Sequence, residues 1–367
     1  MVSWLTIASD GQVGDPGRIH AEGMHARVAL EQAREQVGAL LGARSREVVF
    51  TSGATEAIAE ATWGAVRRAV DTGHPPHVVL AAVEHSAVRQ SSTTFAEAFG
   101  GSVSIVGVDR TGRIDPEEVL AAVKPGTALV HVQWGNHEVA TIQPVAEVVA
   151  ACRERGVLVH VDAAQAAGRV PLDLAALGAD LVSVSGHKLG GPAGTGVLYV
   201  RRGLRIAPLL LGGDQERARR AGLEDVPALV GLGAAAAALA GGALADEERR
   251  SRALTDRLAD ALPAVEGVHL LGDPEPAGRL PHLICVAVDG VEPQAVLLGL
   301  DQRGVAAHSG SACASEGLEP SPVLAAMGVD ADRSLRLSVG WNTTSDDVEA
   351  AIDALPDIIA RLRALAG

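Results

Sequence analysis

The chain has 367 residues, with 45 acidic against 31 basic side chains and a formal net charge of -14. That balance argues against sequence-independent nucleic-acid binding and against an anionic membrane surface, because both demand clustered positive charge. Hydrophobic residues make up 47% and aromatics only 2%, so leucine, valine, isoleucine and alanine must fill the core, and disorder is not expected. Three cysteines, Cys152, Cys285 and Cys313, form no close pair for a metal and no disulfide framework, so a reducing cytoplasm is the expected setting. The start, MVSWLTIASDG, lacks a basic region followed by an apolar run, so no signal peptide is read there.

In chain order, residues 26–41 carry apolar side chains at helical spacing and stop at Gly42. EVVFTSG then reads as a strand, followed by a helix from Thr55. HVVLAAVEH, SVSIVGV, ALVHVQW, VLVHVDAAQ and ADLVSVSG are further strands, mostly apolar without alternation, as expected of strands covered on both faces. Helical segments such as Val145 to Arg155 separate several of them, which is the α/β pattern with a mainly parallel sheet. Val226 to Ala245 carries no charge, but its Ala/Gly content and Pro227 favour a buried helix over a membrane span. Beyond it, DEERRSRALTDRLADAL, HLICVAV, SGSACAS, SLRLSVG and a last helix from Ser345 to Leu365 suggest a smaller α+β domain. Expected boundaries are residues 14–242 for a large domain and 243–367 for a small one, with residues 1–13 packing near the latter.

Five places carry candidate chemistry. TSGATEA, residues 51–57, takes the chain from a strand through a glycine into a helix, whose N-terminal N–H groups either bind phosphate or are simply capped. Asp162 in HVDAAQ ends a buried strand, where a carboxylate is costly unless paired; it either caps a turn or faces a cationic group such as a protonated pyridine. Only two lysines occur, Lys124 and Lys188. Lys124 suits a helix end, whereas Lys188, beside His187 and after an apolar strand, suits a desolvated imine-forming amine. Its spacing from Asp162 brings both to one sheet edge. Cys313 lies among small polar residues, as an exposed reactive thiolate would, while Cys285 and Cys152 read as core residues. Arg336 in a strand is either a carboxylate anchor or a surface residue.

Together these motifs resemble the cysteine desulfurases, pyridoxal-phosphate (PLP) enzymes of fold-type I and the class V aminotransferase family. The landmarks run from about Gly14 to the C-terminus: HAEG, EVVFTSGATEA, VEHSAV, GNHEV, HVDAAQAAGRVPLDL, SGHKLGGPAGTGVLYVRRG, GGDQER, SGSACAS and SLRLSVG. The SGSAC form resembles the longer-loop branch, which hands sulfur to scaffold or carrier proteins. The resemblance implies a seven-stranded, mainly parallel sheet in the large domain, a homodimer, L-cysteine as substrate and alanine as product. It implies that Lys188 is the Schiff-base lysine and moves the Cα proton, and that Asp162 pairs with the pyridine nitrogen. Gln165 would bond the ring oxygen, and His85 would stack on the ring and shuttle protons. Gly53, Ala54, Thr55, Ser185 and His187 would surround the phosphate. Arg336, Asn136 and His137 would hold substrate, and Cys313 would take the sulfur as a persulfide. No metal is implied.

Four departures stand out. The opening differs from the family's YLDNAATTP form, with GDPGR in place of its GNPSS-like segment. The usual Asn-Asn-Glu reads Asn136-His137-Glu138, and Ala140 replaces a glycine. GGDQERARRAGL has Leu223 where a threonine normally reaches the partner subunit's phosphate, and leucine has no hydrogen to donate. These changes leave open a related PLP reaction on another amino acid, or a non-catalytic sulfur-relay paralogue.

Overall fold

The computed structural model describes residues 14–309, 321–330 and 333–366. Seven runs form one sheet: β1 (Val48–Thr51), β2 (His77–Ala81), β3 (Ser102–Val106), β4 (Thr127–Gln133), β5 (Leu158–Asp162), β6 (Leu181–Ser185) and β7 (Gly196–Val200). Their order in space is β1-β7-β6-β5-β4-β2-β3. The run from β3 to β6 pairs in parallel, and β7 lies antiparallel to both neighbours. Strands β1, β2, β6 and β7 are buried along their whole length, because helices cover both faces; this is why their sequences do not alternate. Edge strand β3 is only partly covered, and its Ile105 is exposed.

The uncharged stretch from Val226 is not one helix. Helix Val226–Ala238 ends, Gly241 and Gly242 turn the chain at φ 65° and 96°, and helix Ala243–Ala261 leaves at an angle of 77°. The first of these packs on helix Ala21–Leu40. A Cβ on Gly233 would lie 2.6 Å from the Ala33 Cα, so this close crossing requires glycine. Among the described residues no single helix is long and apolar enough to cross a membrane.

A second sheet contains β8 (Val268–Leu271), β9 (Leu283–Val288), β10 (His308–Ser309) and β11 (Ser334–Ser338), all antiparallel in the order β10-β11-β9-β8. Its outer core joins Leu254 and Leu258, Ile284 and Val286, Leu335 and Leu337, and Leu355 and Ile358. Each such burial contributes about 1.5–3 kcal/mol of hydrophobic free energy. Alternation then sends Leu283 and Cys285 the other way, into the core of the seven-stranded sheet. Arg336 is registered opposite Cys285, so it shares that inward face and meets the first sheet.

Candidate active site

Parallel neighbours β5 and β6 end at one sheet edge, where open α/β folds place their ligands. β5 ends in Asp162, and β6 ends in Ser185 and passes into a 3-10 turn, Gly186–Leu189, that holds His187 and Lys188. Across from them helix Ala54–Asp71 begins, with Gly53 at its N-cap. The start of β7 presses against that cap. A Cβ on Gly196 would lie 2.5 Å from the Gly53 Cα, so only glycine lets the helix end sit this close to the sheet. Between these elements is a cavity of about 460 Å³. Gly53, Ala54, Thr55, His85 and His137 line one part of it, and Asp162, Gln165, Ser185, His187 and Lys188 the rest.

Hydrogen bonds fix the lining. Asp162 accepts at Oδ1 from the Ser183 hydroxyl and the Ala164 N–H, both at 3.0 Å. Beneath it, fully buried Glu84 accepts the Gln133 N–H at 2.7 Å through Oε1, and its Oε2 has no hydrogen-bond partner among the described residues. Burial, with the Asp162 charge second, pushes Glu84 up to about 8. Glu84 is therefore mostly neutral at pH 7. The Nδ1 of His85 accepts the Ala87 N–H at 3.1 Å, which assigns the neutral ring's proton to Nε2. The ring of His137 meets that of His85 edge-on, centroids 5.3 Å apart. Ser185 Oγ lies 3.1 Å from His187 Nδ1, and burial followed by the Lys188 charge lowers the His187 pKa.

Two predicted residues lie outside the lining. Asn136 is fully buried: its Oδ1 accepts the Glu138 and Val139 N–H groups, and its Nδ2 donates to Val83 O. Its amide is spent on holding the turn that presents His137. Arg336 reaches the site through the backbone, donating Nη1 to His137 O at 2.9 Å. Cys313 lies outside the described residues. The other two cysteines are buried, and burial pushes Cys152 up to about 11 and Cys285 up to about 12, far from a reactive thiolate.

Sequence reasoning missed Glu84, Ser183 and His282. His282, just before β9, places Nε2 3.2 Å from Gln165 Oε1 and so ties the second sheet to the site. Burial, then the charges of Arg169, Lys188 and Arg336, push it down to about 3, so it is neutral. Two departures also gain a shape. Ala140 is buried at φ 67°, in the left-handed region natural to the glycine it replaces. Leu223 is 63% exposed, as are its neighbours Leu210 (41%) and Leu211 (80%).

The family profile "Aminotransferase class-V" matches residues 8–351. A cysteine desulfurase of Gluconacetobacter diazotrophicus is 42% identical over 357 residues, 96% of this chain and 88% of that protein. A solved NifS-like protein superposes with a TM-score of 0.88 at 30% identity, covering 98% of this chain and 95% of the other. A structure of SspA in complex with cysteine matches with a TM-score of 0.77 at 28% identity, covering 92% and 94%. The chain belongs to the class V aminotransferase family and, within it, to the cysteine desulfurases.

Proposed function

We propose that the chain is a PLP-dependent cysteine desulfurase that converts L-cysteine to L-alanine and leaves the sulfur as a persulfide on Cys313. The observation that carries this reading is the meeting of Asp162, Lys188 and the N-terminus of helix Ala54–Asp71 at one cavity. The residues fit the cofactor. Asp162 is a buried carboxylate with Oδ1 held and no protein donor on Oδ2 among the described residues, suited to a protonated ring nitrogen. The helix start offers free N–H groups to a phosphate, with Ser185 and His187 beside them.

When bound, PLP supplies an electrophilic carbon and a protonated pyridine ring that draws electrons from the substrate Cα. Lys188 would hold the cofactor before substrate arrives and afterwards carry the Cα proton. Asp162, its Oδ1 held by Ser183 and Ala164, would face the protonated ring nitrogen. His85 would stack on the ring and pass a proton through Nε2, and Gln165, oriented by His282, would bond the ring oxygen. Arg336, braced on His137 O, takes the substrate carboxylate. The Cys313 thiolate attacks the substrate sulfur. The sulfur–carbon bond breaks with its electron pair left on carbon, which is then protonated to give alanine, so no outside oxidant or reductant is needed.

A sulfur-acceptor protein then takes the persulfide sulfur in the cytoplasm. A second copy of the chain is expected over exposed Leu210, Leu211 and Leu223. In the test, purified protein is given L-cysteine and alanine is measured. Cys313→Ala should retain the bound-cofactor absorbance and lose alanine formation, and unchanged turnover in that variant would sink the reading. His137, lining the cavity where the family has asparagine, favours one second reading: a different amino acid as substrate. A substrate panel with product mass spectrometry separates the two.

A further inference from the structure

A second cavity, of about 450 Å³, shares no residue with the first. Five of its ten lining residues are arginine: Arg44, Arg46, Arg201, Arg202 and Arg219. In a chain of net charge -14 this is a local reversal of sign. Topology explains how they meet. β1 and β7 pair antiparallel, with Val48 opposite Tyr199, so the turn entering β1 and the turn leaving β7 lie at the same sheet end. Buried Glu47 ties them together, accepting the Arg44 N–H through Oε2 and the Arg202 N–H through Oε1, each at 3.0 Å. Its carboxylate is thus shared between two backbone donors and the side chain of Tyr199.

The guanidiniums themselves are poorly neutralised. Arg201 pairs with Asp180 at 2.8 Å. Among the described residues Arg219 donates to two carbonyls, Glu216 O and Val48 O, and to no carboxylate. Arg44, Arg46 and Arg202 are exposed and make no ion pair among the described residues. Within one small cavity such charges repel, because screening at physiological salt acts over about 8 Å. A bound anion would relieve that repulsion. Guanidinium forks match phosphate oxygens two at a time, and the cavity volume falls in the small-ligand range rather than describing a flat protein-docking patch.

We propose that this cavity binds a small polyanion carrying two or more phosphate groups, of pyrophosphate to nucleotide size. The test uses the cofactor-loaded enzyme, so that the cofactor's own phosphate site is filled, and titrates inorganic tripolyphosphate by calorimetry. The expected result is saturable one-site binding that weakens as salt is raised. Each arginine removed should weaken it about tenfold, the effect of one charge-assisted contact. The Arg44→Ala/Arg46→Ala/Arg202→Ala variant should therefore lose about a thousandfold, while Arg361→Ala on the last helix matches the parent. None of the three belongs to the active site, so turnover of L-cysteine without anion should be unchanged in the triple variant. No binding by the parent, or equal binding by the triple variant, overturns the proposal. Tighter binding of a ten-residue glutamate peptide at the same arginines also overturns it, by assigning the site to an acidic protein segment.

Discussion

Replacing Arg34 by methionine removes one half of an ion pair that water does not reach. Arg34 lies in helix Ala21–Leu40, and its Nη1 and Nη2 meet the Glu216 carboxylate at 2.6 and 2.7 Å, with side-chain exposures of 2% and 1%. The guanidinium also lies 4.5 Å over the Phe50 ring, and Glu216 accepts the Phe50 N–H at 2.9 Å. Glu216, Arg217 and Ala218 hold φ of 49°, 60° and 59°, a left-handed run costing about 1–2 kcal/mol per residue. The pair anchors that run to the body of the protein. Methionine keeps most of the apolar volume, so the main loss is an unpaired buried carboxylate, about 3–5 kcal/mol. An unfolding entropy near 2.1 cal/mol/K per residue over 367 residues is about 0.8 kcal/mol/K, so the predicted fall in Tm is about 4–6 °C. Differential scanning calorimetry measures it. In Arg34→Met/Glu216→Gln the uncompensated charge is gone, and the double variant should recover about 2 kcal/mol against the sum of the singles. Arg34→Met melting within 1 °C of the parent, or strict additivity in the double variant, would refute the reasoning. Four residues past Glu216, Arg220 grips Glu56 on the cavity wall at 2.8 and 3.2 Å, so Arg34→Met should also release cofactor faster.

Three further outcomes are expected. Asp162→Asn keeps an oxygen for Ser183 and Ala164 but loses the charge, so alanine formation should fall about 100- to 1000-fold with the fold intact; a loss under tenfold contradicts the assigned role. Glu84→Gln tests linkage. The carboxyl, raised from 4.5 to about 8 by burial and Asp162, gives stability that is fully present below pH 4.5 and lost as pH rises to about 8, at about 1.4 kcal/mol per unit. The glutamine variant should therefore gain Tm over the parent at pH 8 relative to pH 5, and parallel Tm profiles would show that Glu84 does not titrate in this window. His137→Asn should change the KM for L-cysteine by at least about threefold, under 1 kcal/mol of binding energy, with little change in Tm. An unaltered KM would remove His137 from the substrate pocket.

The sequence made the centre of the fold plain where chemistry is local. Unalternating valine runs showed β5 and β6 buried on both faces, and the scarcity of lysine drew attention to Lys188. β7 was harder, because five residues after a glycine-rich turn carry little periodicity. Glu84 and His282 were invisible as site residues for a different reason. Each matters through a contact made only in the folded chain, Glu84 with the Gln133 backbone and His282 with Gln165, across 49 and 117 residues. Asn136 was expected to hold substrate; in the fold its Oδ1 accepts two N–H groups of its own turn and its Nδ2 donates to Val83 O, contacts its motif does not announce. The alternation in SLRLS contained the inward direction of Arg336, but not its partner, the carbonyl of His137.

The central claim is that Lys188 and Asp162 hold PLP for desulfuration of L-cysteine. Its most direct test is the visible absorbance of the PLP-reconstituted protein before and after L-cysteine, with alanine measured in the same sample. The account predicts a cofactor band in the parent that changes on adding L-cysteine as alanine accumulates, and neither the band change nor alanine in Lys188→Ala. A protein that gains no band from added PLP, or that turns over L-cysteine equally well in Lys188→Ala, would contradict it.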